Sequence, residues 1–308
     1  MNQAELNQLL KIYKLTPNFT YGQNFLIDDN VLHQIVECAQ VSKTDCVVEV
    51  GPGIGNLTRQ LCERAGYVVS VEKDPKFNLL LSDLKKQYSE NFSYVIADVL
   101  NWDVSQALTD RTVPVRLRAL VSQNFSSQLP VVPYKVVANI PYYITGKILE
   151  KFLTGPCKPS SITVLVQKEV AERVVAQVGE LNVLAISVQI FGVPKIFKEV
   201  SKHSFFPVPQ VDSAILHIEL YNTKKFNITN EKKFFKILKA CFAGKRKQIH
   251  NTLVNNLRLD KNLILTILSE LKINPMARPQ ELSIEEWLEL TKILNLKLAK
   301  PLNKLSKI

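Results

Sequence analysis

Cys46-Val47-Val48-Glu49-Val50-Gly51-Pro52-Gly53-Ile54-Gly55 decides the architecture, because a short apolar run breaks directly into a turn with glycine at every second position. A run of this length bounded by turn residues predicts a buried strand. The glycines let the backbone turn sharply and leave the first N–H groups of a following helix open to a ligand. Working outward, short apolar segments at 68–71, 94–97, 136–138 and 162–166 alternate with helix-length amphipathic stretches. That alternation predicts a parallel sheet covered by helices. Segments 196–200 and 214–220 are joined by a proline-rich loop too short for a crossover helix, which predicts an antiparallel pair. Beyond residue 220 no strand pattern remains; 229–242, 245–257, 261–271 and 283–294 carry apolar residues at three- and four-residue spacing and read as helices.

With 308 residues, 46% of them hydrophobic, the chain has material for a sizeable core and about two domains. No apolar run reaches the roughly 18 residues of a membrane span. The opening Met1-Asn2-Gln3-Ala4-Glu5 carries an acid and no basic leader, so a soluble, cytoplasmic protein is expected. The five cysteines (Cys38, Cys46, Cys62, Cys157, Cys241) are odd in number and never fall in C-x-x-C spacing, and the four histidines are scattered; neither disulfides nor a metal site is expected. Charge is uneven. Residues 1–220 hold 21 Lys+Arg and 21 Asp+Glu, and residues 221–308 hold 18 and 7, so the whole net charge of +11 sits in the second part. This predicts a neutral domain over 1–220 and a basic helical domain over 221–308 that faces a polyanion. A solvated helical face with a lysine-rich tail is the competing account.

In a sheet of this type ligands lie beyond the carboxyl ends of the strands. Four such ends carry polar chemistry. The first is the loop Glu49–Gly55, which departs from the dinucleotide pattern G-x-G-x-x-G at Asn56 and has the E-x-G-x-G-x-G form used by S-adenosylmethionine enzymes. Glu72 and Asp98 end the next two strands: Glu72 suits both hydroxyls of a ribose, and Asp98 suits an adenine amino group. Singly, each acid reads more readily as a helix N-cap or a surface charge, and it is their shared position at strand ends that favours a ligand. The fourth tip is Asn139-Ile140-Pro141-Tyr142, after the apolar run 134–138. Here the Asn139 amide oxygen and the Ile140 carbonyl suit the two N–H donors of an adenine amino group, with Tyr142 stacked on the ring.

Taken in order, Gly22-Gln23-Asn24-Phe25-Leu26, the Glu49–Gly55 loop, Glu72, Asp98, Asn139–Tyr142, Gln167-Lys168-Glu169-Val170, Phe205-Phe206-Pro207-Val208-Pro209-Gln210-Val211-Asp212-Ser213-Ala214, Gly244-Lys245-Arg246-Lys247-Gln248-Ile249 and Arg278-Pro279-Gln280-Glu281-Leu282-Ser283 resemble one family. It is the ribosomal RNA adenine N6,N6-dimethyltransferases, of the small-subunit KsgA type, and the resemblance runs over about residues 22–290. The resemblance implies an α/β fold with a Rossmann-like seven-stranded methyltransferase sheet, its last strand antiparallel, and a small C-terminal helical domain. It implies an S-adenosylmethionine site formed by Gln23, Asn24, Leu26, Gly51, Gly53, Glu72, Asp98 and Asn139. Asn139, Ile140, Tyr142 and Phe205 would hold the target base, with Tyr142 and Phe205 on its two faces. Lys245, Arg246 and Lys247, at a predicted helix start, would contact RNA. The implied activity is dimethylation of two adjacent adenosines in the 3′-terminal hairpin of small-subunit rRNA, by a monomer acting on immature small subunits. The large-subunit type that confers macrolide resistance and a non-catalytic assembly factor on the same fold are the alternatives. Three stretches depart from the family pattern: the long connection 103–134 with Arg111, Arg116 and Arg118, the run Gly179–Leu184 in place of Tyr-Gly-x-Leu-Ser, and Thr16–Tyr21, which lacks basic residues.

Overall fold

Seven strands form one sheet in the computed structural model, which describes residues 1, 3–17, 22–109, 113–114, 117, 132–223, 225–228, 230–244 and 246–299. Labelled in chain order, the strands are β1 (Phe25–Leu26), β2 (Cys46–Val50), β3 (Tyr67–Glu72), β4 (Phe92–Ile96), β5 (Tyr134–Asn139), β6 (Ser161–Gln167), β7 (Gly192–Val200), β8 (Phe205–Phe206) and β9 (Ser213–Leu220). The sheet order is β4-β3-β2-β5-β6-β9-β7, while β1 and β8 pair separately as a short antiparallel ribbon. From β4 to β6 all pairings are parallel; β9 runs antiparallel to both β6 and β7. Every residue of β2 and β3 is buried. That is why these strands read as nearly continuous apolar runs, interrupted by Glu49 in one and Ser70 in the other: a parallel sheet covered on both faces has no solvent side to alternate with. Burying each valine there contributes about 1.5–3 kcal/mol relative to leaving it in water.

The chain winds from β2 outward to β3 and β4, then returns past β2 to form β5 on its other side. Between β2 and β5 the winding reverses, and a crevice opens at the carboxyl ends of neighbouring strands at such a point. Local chemistry starts the flanking helices. The Asp28 carboxylate accepts from the N–H groups of Asn30 and Val31 and caps helix Asp29–Cys38, which turns Leu32, Ile35 and Val36 into the core. At the far edge, β7 exposes Val193 and Phe197 and carries a register shift between Ile196 and Lys198. A bulge with lysines beside it discourages pairing with another chain.

The chain divides into two compact units: Met1–Glu172 with Phe191–Asn222, and Arg173–Ile190 with Thr223–Ile308. Among its described residues the second unit is helical, with helices Val183–Gln189, Glu231–Phe242, Ile249–Leu257, Lys261–Glu270 and Ile284–Ala299. Trp287 is fully buried in it, donates its indole N–H to the Pro279 carbonyl at 3.2 Å and packs against the Phe242 ring at 5.6 Å. Asn230 and Asp260 cap two of the helices through bonds to the N–H groups of Lys233 and Leu263. The predicted start at 245 needs correction. Helix Ile249–Leu257 begins four residues later because Lys247 N–H closes a turn onto the Gly244 carbonyl and Ile249 N–H is taken by the Ala277 carbonyl at 2.6 Å. Arg246 and Lys247 therefore sit on an exposed turn before the helix, and Lys245 lies outside the described residues. All five cysteines are buried free thiols, and among the described residues no helix is long and apolar enough to cross a membrane.

Candidate active site

The crevice at the β2/β5 reversal holds about 1040 Å³ of empty space out to its open mouth. Its floor is the glycine turn. Gly51, Gly53 and Gly55 all have positive φ, and the turn is pinned by Gly51 N–H to the Val71 carbonyl and Gly55 N–H to the Pro52 carbonyl, at 2.9 and 2.8 Å. Gly55 has two reasons to lack a side chain: its φ is +77°, and a Cβ there would stand 2.4 Å from Leu84 Cδ1. The next residue opens helix Asn56–Arg64, and its side-chain Nδ2 donates to the Leu26 carbonyl at 2.9 Å, tying β1 to the rim.

Two acids hold this wall together from within. Glu72 ends β3 with 6% exposure; its Oε2 accepts from Gly53 N–H at 3.1 Å and its Oε1 from Asp74 N–H at 2.9 Å. Burial raises its carboxyl above the usual range, and those backbone bonds oppose the rise. Glu49, only 1% exposed, accepts from Ser70 Oγ at 2.5 Å and Thr58 Oγ1 at 2.8 Å, both on Oε2. Its Oε1 is buried with no hydrogen-bond partner among the described residues, and the residue borders the crevice. Burial pushes the Glu49 carboxyl up to about 7, with the nearby Glu72 charge adding to the effect. Asp98 sits in a wetter place. Its Oδ2 pairs with Lys73 Nζ at 2.9 Å and its Oδ1 accepts from Leu100 N–H at 3.0 Å, so the Lys73 ammonium first, and that backbone bond second, hold it below the usual carboxylate range.

The opposite wall is the turn that follows β5. Asn139 donates its Nδ2 to the Asn24 carbonyl at 3.3 Å, which points the other end of the amide, the Oδ1 acceptor, away from that contact. The Tyr142 hydroxyl is 2.6 Å from Ser213 Oγ at the start of β9, and Thr145 Oγ1 donates to the Tyr142 carbonyl at 3.0 Å. Oxygen acceptors and a fixed ring at one mouth, with carboxylates and open backbone at the other, suit a ligand carrying hydroxyls and a planar base beside a second planar base.

Ten of the residues singled out in the sequence border this one crevice: Gln23, Asn24, Leu26, Gly51, Gly53, Glu72, Asp98, Asn139, Ile140 and Tyr142. Phe205 does not. It is 1% exposed, lies opposite Leu26 in the β1–β8 ribbon and packs into the core, whereas the next ring, Phe206, is partly exposed. Successive side chains of a strand face opposite ways, and sequence alone does not say which of two adjacent phenylalanines turns inward. Sequence reading also passed over Lys73, Tyr143 and the unpartnered oxygen of Glu49, all on the crevice wall. For Glu49 the signal was present, since an acid inside an apolar strand has to be buried. Arg111, Arg116 and Arg118 lie outside the described residues, as do residues 18–21 of the N-terminal arm.

Comparison with known proteins identifies the family. The chain is 38% identical to ribosomal RNA small subunit methyltransferase A of Dehalococcoides mccartyi over 93% of its own length and 91% of that protein. The protein of the same name from Clostridium botulinum is 34% identical, covering 91% of this chain and 94% of the relative. Among solved structures, a dimethyladenosine transferase from Plasmodium falciparum shares the fold with a TM-score of 0.71 at 24% identity, over 89% of this chain and 98% of that one. The 23S rRNA methyltransferase ErmE superposes with a TM-score of 0.64 at 26% identity, over 88% and 100%. The matching family description spans residues 14–296, and on that extent the chain belongs to the ribosomal RNA adenine dimethylase family.

Proposed function

We propose that this chain transfers methyl groups from S-adenosylmethionine to N6 of two adjacent adenosines in the 3′-terminal hairpin of small-subunit rRNA, acting as a cytoplasmic monomer on immature subunits. The observation that carries the reading is the convergence of the glycine turn, Glu72 and Asn139 on one crevice at the β2/β5 reversal. Relatives named for the small subunit favour it over the large-subunit type. The residues fit the cofactor. Among the described residues, Glu49 Oε1 is a buried acceptor without a partner, and Gly51 presents backbone with only the Asn139 carbonyl oxygen near a would-be Cβ, at 3.9 Å. The Glu72 carboxylate has more acceptor sites than the backbone bonds it takes from Asp74, Gly53 and Lys73, which suits the ribose hydroxyls, and Asp98 suits the adenine amino group.

When bound, S-adenosylmethionine supplies a methyl group on a positively charged sulfur. The remaining work falls to this chain. An adenine amino nitrogen is a poor nucleophile because its lone pair is delocalised into the ring. Asn139 Oδ1 and the Ile140 carbonyl accept its two N–H bonds, fix its approach in line with the methyl group and stabilise the positive charge that grows on it. Tyr142, held by Ser213, stacks on the base and offsets part of the cost of taking it out of its own stack. Phe205 acts here through the β1–β8 ribbon, as packing beneath Leu26. Lys245, Arg246 and Lys247 meet phosphates, supported by the excess positive charge of 221–308 and by the exposure of Arg246 and Lys247.

The deciding experiment gives purified protein labelled S-adenosylmethionine with immature small subunits and, in a parallel reaction, large-subunit rRNA, then maps the label. N6,N6-dimethyladenosine at two adjacent adenosines near the 3′ end is expected. Label confined to large-subunit rRNA would overturn the substrate, and no transfer to any rRNA would overturn the activity. Replacing Lys245, Arg246 and Lys247 together by glutamine is expected to weaken subunit binding and to flatten its log–log salt dependence by about 0.7–0.9 unit for each phosphate no longer neutralised. An unchanged slope removes this turn from the RNA surface.

A further inference from the structure

Tyr142 and Tyr143 are consecutive, yet they are held in opposite ways. Tyr142 is partly buried and bonded to Ser213. Tyr143 borders the same crevice but is 59% exposed. The two share a 3-10 turn, Tyr142–Ile144, and with three residues per turn successive side chains point about 120° apart. Rings directed that way do not lie against the same base. The second ring is also backed by protein. Gly22 has a φ of +59°, and a Cβ there would be 3.3 Å from Tyr143 Cδ1 and 3.4 Å from Cε1, so the bare backbone of Gly22 passes close to one part of the ring. Exposed Gly146 and Lys147 follow in the first turn of helix Thr145–Thr154, and nothing lies within 4 Å of a would-be Cβ at Gly146. A backed, solvent-facing aromatic ring followed closely by open backbone and a cation is the make-up of a single-strand stacking platform.

This inference rests on the reading above, in which the substrate carries two adjacent adenosines. Drawing one of them into the crevice strips its neighbour of a stacking partner. We propose that Tyr143 stacks on the nucleobase next to the one in the crevice and that Lys147 meets that nucleotide's phosphate, so that the enzyme grips a dinucleotide and not a single base.

The test uses small subunits reassembled with rRNA in which one of the two adenosines is abasic, and follows single-turnover methylation of the other. The unmodified protein is expected to be about five- to hundredfold slower on the abasic RNA than on intact RNA, the size of one base–aromatic stack. Tyr143→Ala is expected to lose a similar factor on intact RNA and nothing further on abasic RNA, while Tyr143→Phe follows the unmodified protein on both. An unmodified protein equally fast on the two RNAs overturns the proposal, as does Tyr143→Ala at full rate on intact RNA or with equal losses on both. Because the first comparison needs no variant, it decides the matter even where Tyr143→Ala fails to fold. Failure of the underlying activity looks different: the unmodified protein then labels no intact rRNA.

Discussion

On the glycine-turn wall of the crevice, Glu49 and Glu72 are nearly sealed from water, and their carboxylates take bonds from Ser70, Thr58, Gly53 and Asp74. Across from them, Asn139 and Tyr142 are half-buried and each side chain makes a single described hydrogen bond, to Asn24 and Ser213. The first wall is built before any ligand arrives, since its acids already hold the turn at the geometry a cofactor meets. The second keeps its acceptors and rings uncommitted, as a site must that receives a base out of a large, shape-varying RNA.

The largest effect should come from the uncommitted wall. Asn139→Ala is expected chiefly to slow transfer, by about 10²–10³-fold in single-turnover methylation at saturating cofactor, the scale of losing one acceptor aimed at developing charge. A full rate at saturation would erase the distinction between the walls. Next is the buried acid. Unfolded, a glutamate titrates near pH 4.3, whereas folded Glu49 is held at about 7. The folded state thus favours the proton, and the stability this lends is present at low pH and lost as pH rises through that window. Relative to the natural chain, Glu49→Gln should gain stability between about pH 4.5 and 7, up to ~3 kcal/mol. Urea melts of both proteins at pH 5 and pH 8 measure it, and a constant difference would mean the carboxyl is not sealed. Glu72→Ala should weaken S-adenosylmethionine binding about 10–100-fold by equilibrium titration, because the ribose acceptor and the strut under Gly53 disappear together. At saturating cofactor its transfer rate should stay closer to normal than that of Asn139→Ala. The smallest change is Tyr142→Phe, which keeps the ring and removes the bond to Ser213; a loss of about 1 kcal/mol in stability is expected from denaturant melts. A loss several times larger would show that this wall is as rigid as the other.

Much of the first wall was legible in the sequence because its determinants are local. A buried strand, glycines that need positive φ and an acid at the next strand's end each leave a mark within ten residues. The Asn139–Tyr142 turn was legible for the same reason. What escaped depended on distant partners. The inward turn of Phe205 is decided by its register against Leu26, some 180 residues earlier, and the late start of helix Ile249–Leu257 by the Ala277 carbonyl. The place of β9 between β6 and β7 likewise follows from pairing across the chain and from no local propensity. The Lys73–Asp98 ion pair joins neighbouring strand tips, and no spacing in the sequence announces it.

The insertion of Arg173–Ile190 into the middle of the first unit's sequence bears on how the chain can be made and cut. During synthesis β6 emerges early, but its partner β9 follows only after this helical segment has been extruded, so the segment waits for helix Glu231–Phe242, on which Val183–Gln189 packs, while the sheet around it closes. A chain stopped after Leu220 would retain every strand and still lack helix Glu231–Phe242, the packing partner of helix Val183–Gln189. Separating the two units as working pieces therefore takes two cuts and a new join, from Glu172 to Phe191, and a single truncation at the charge boundary does not achieve it.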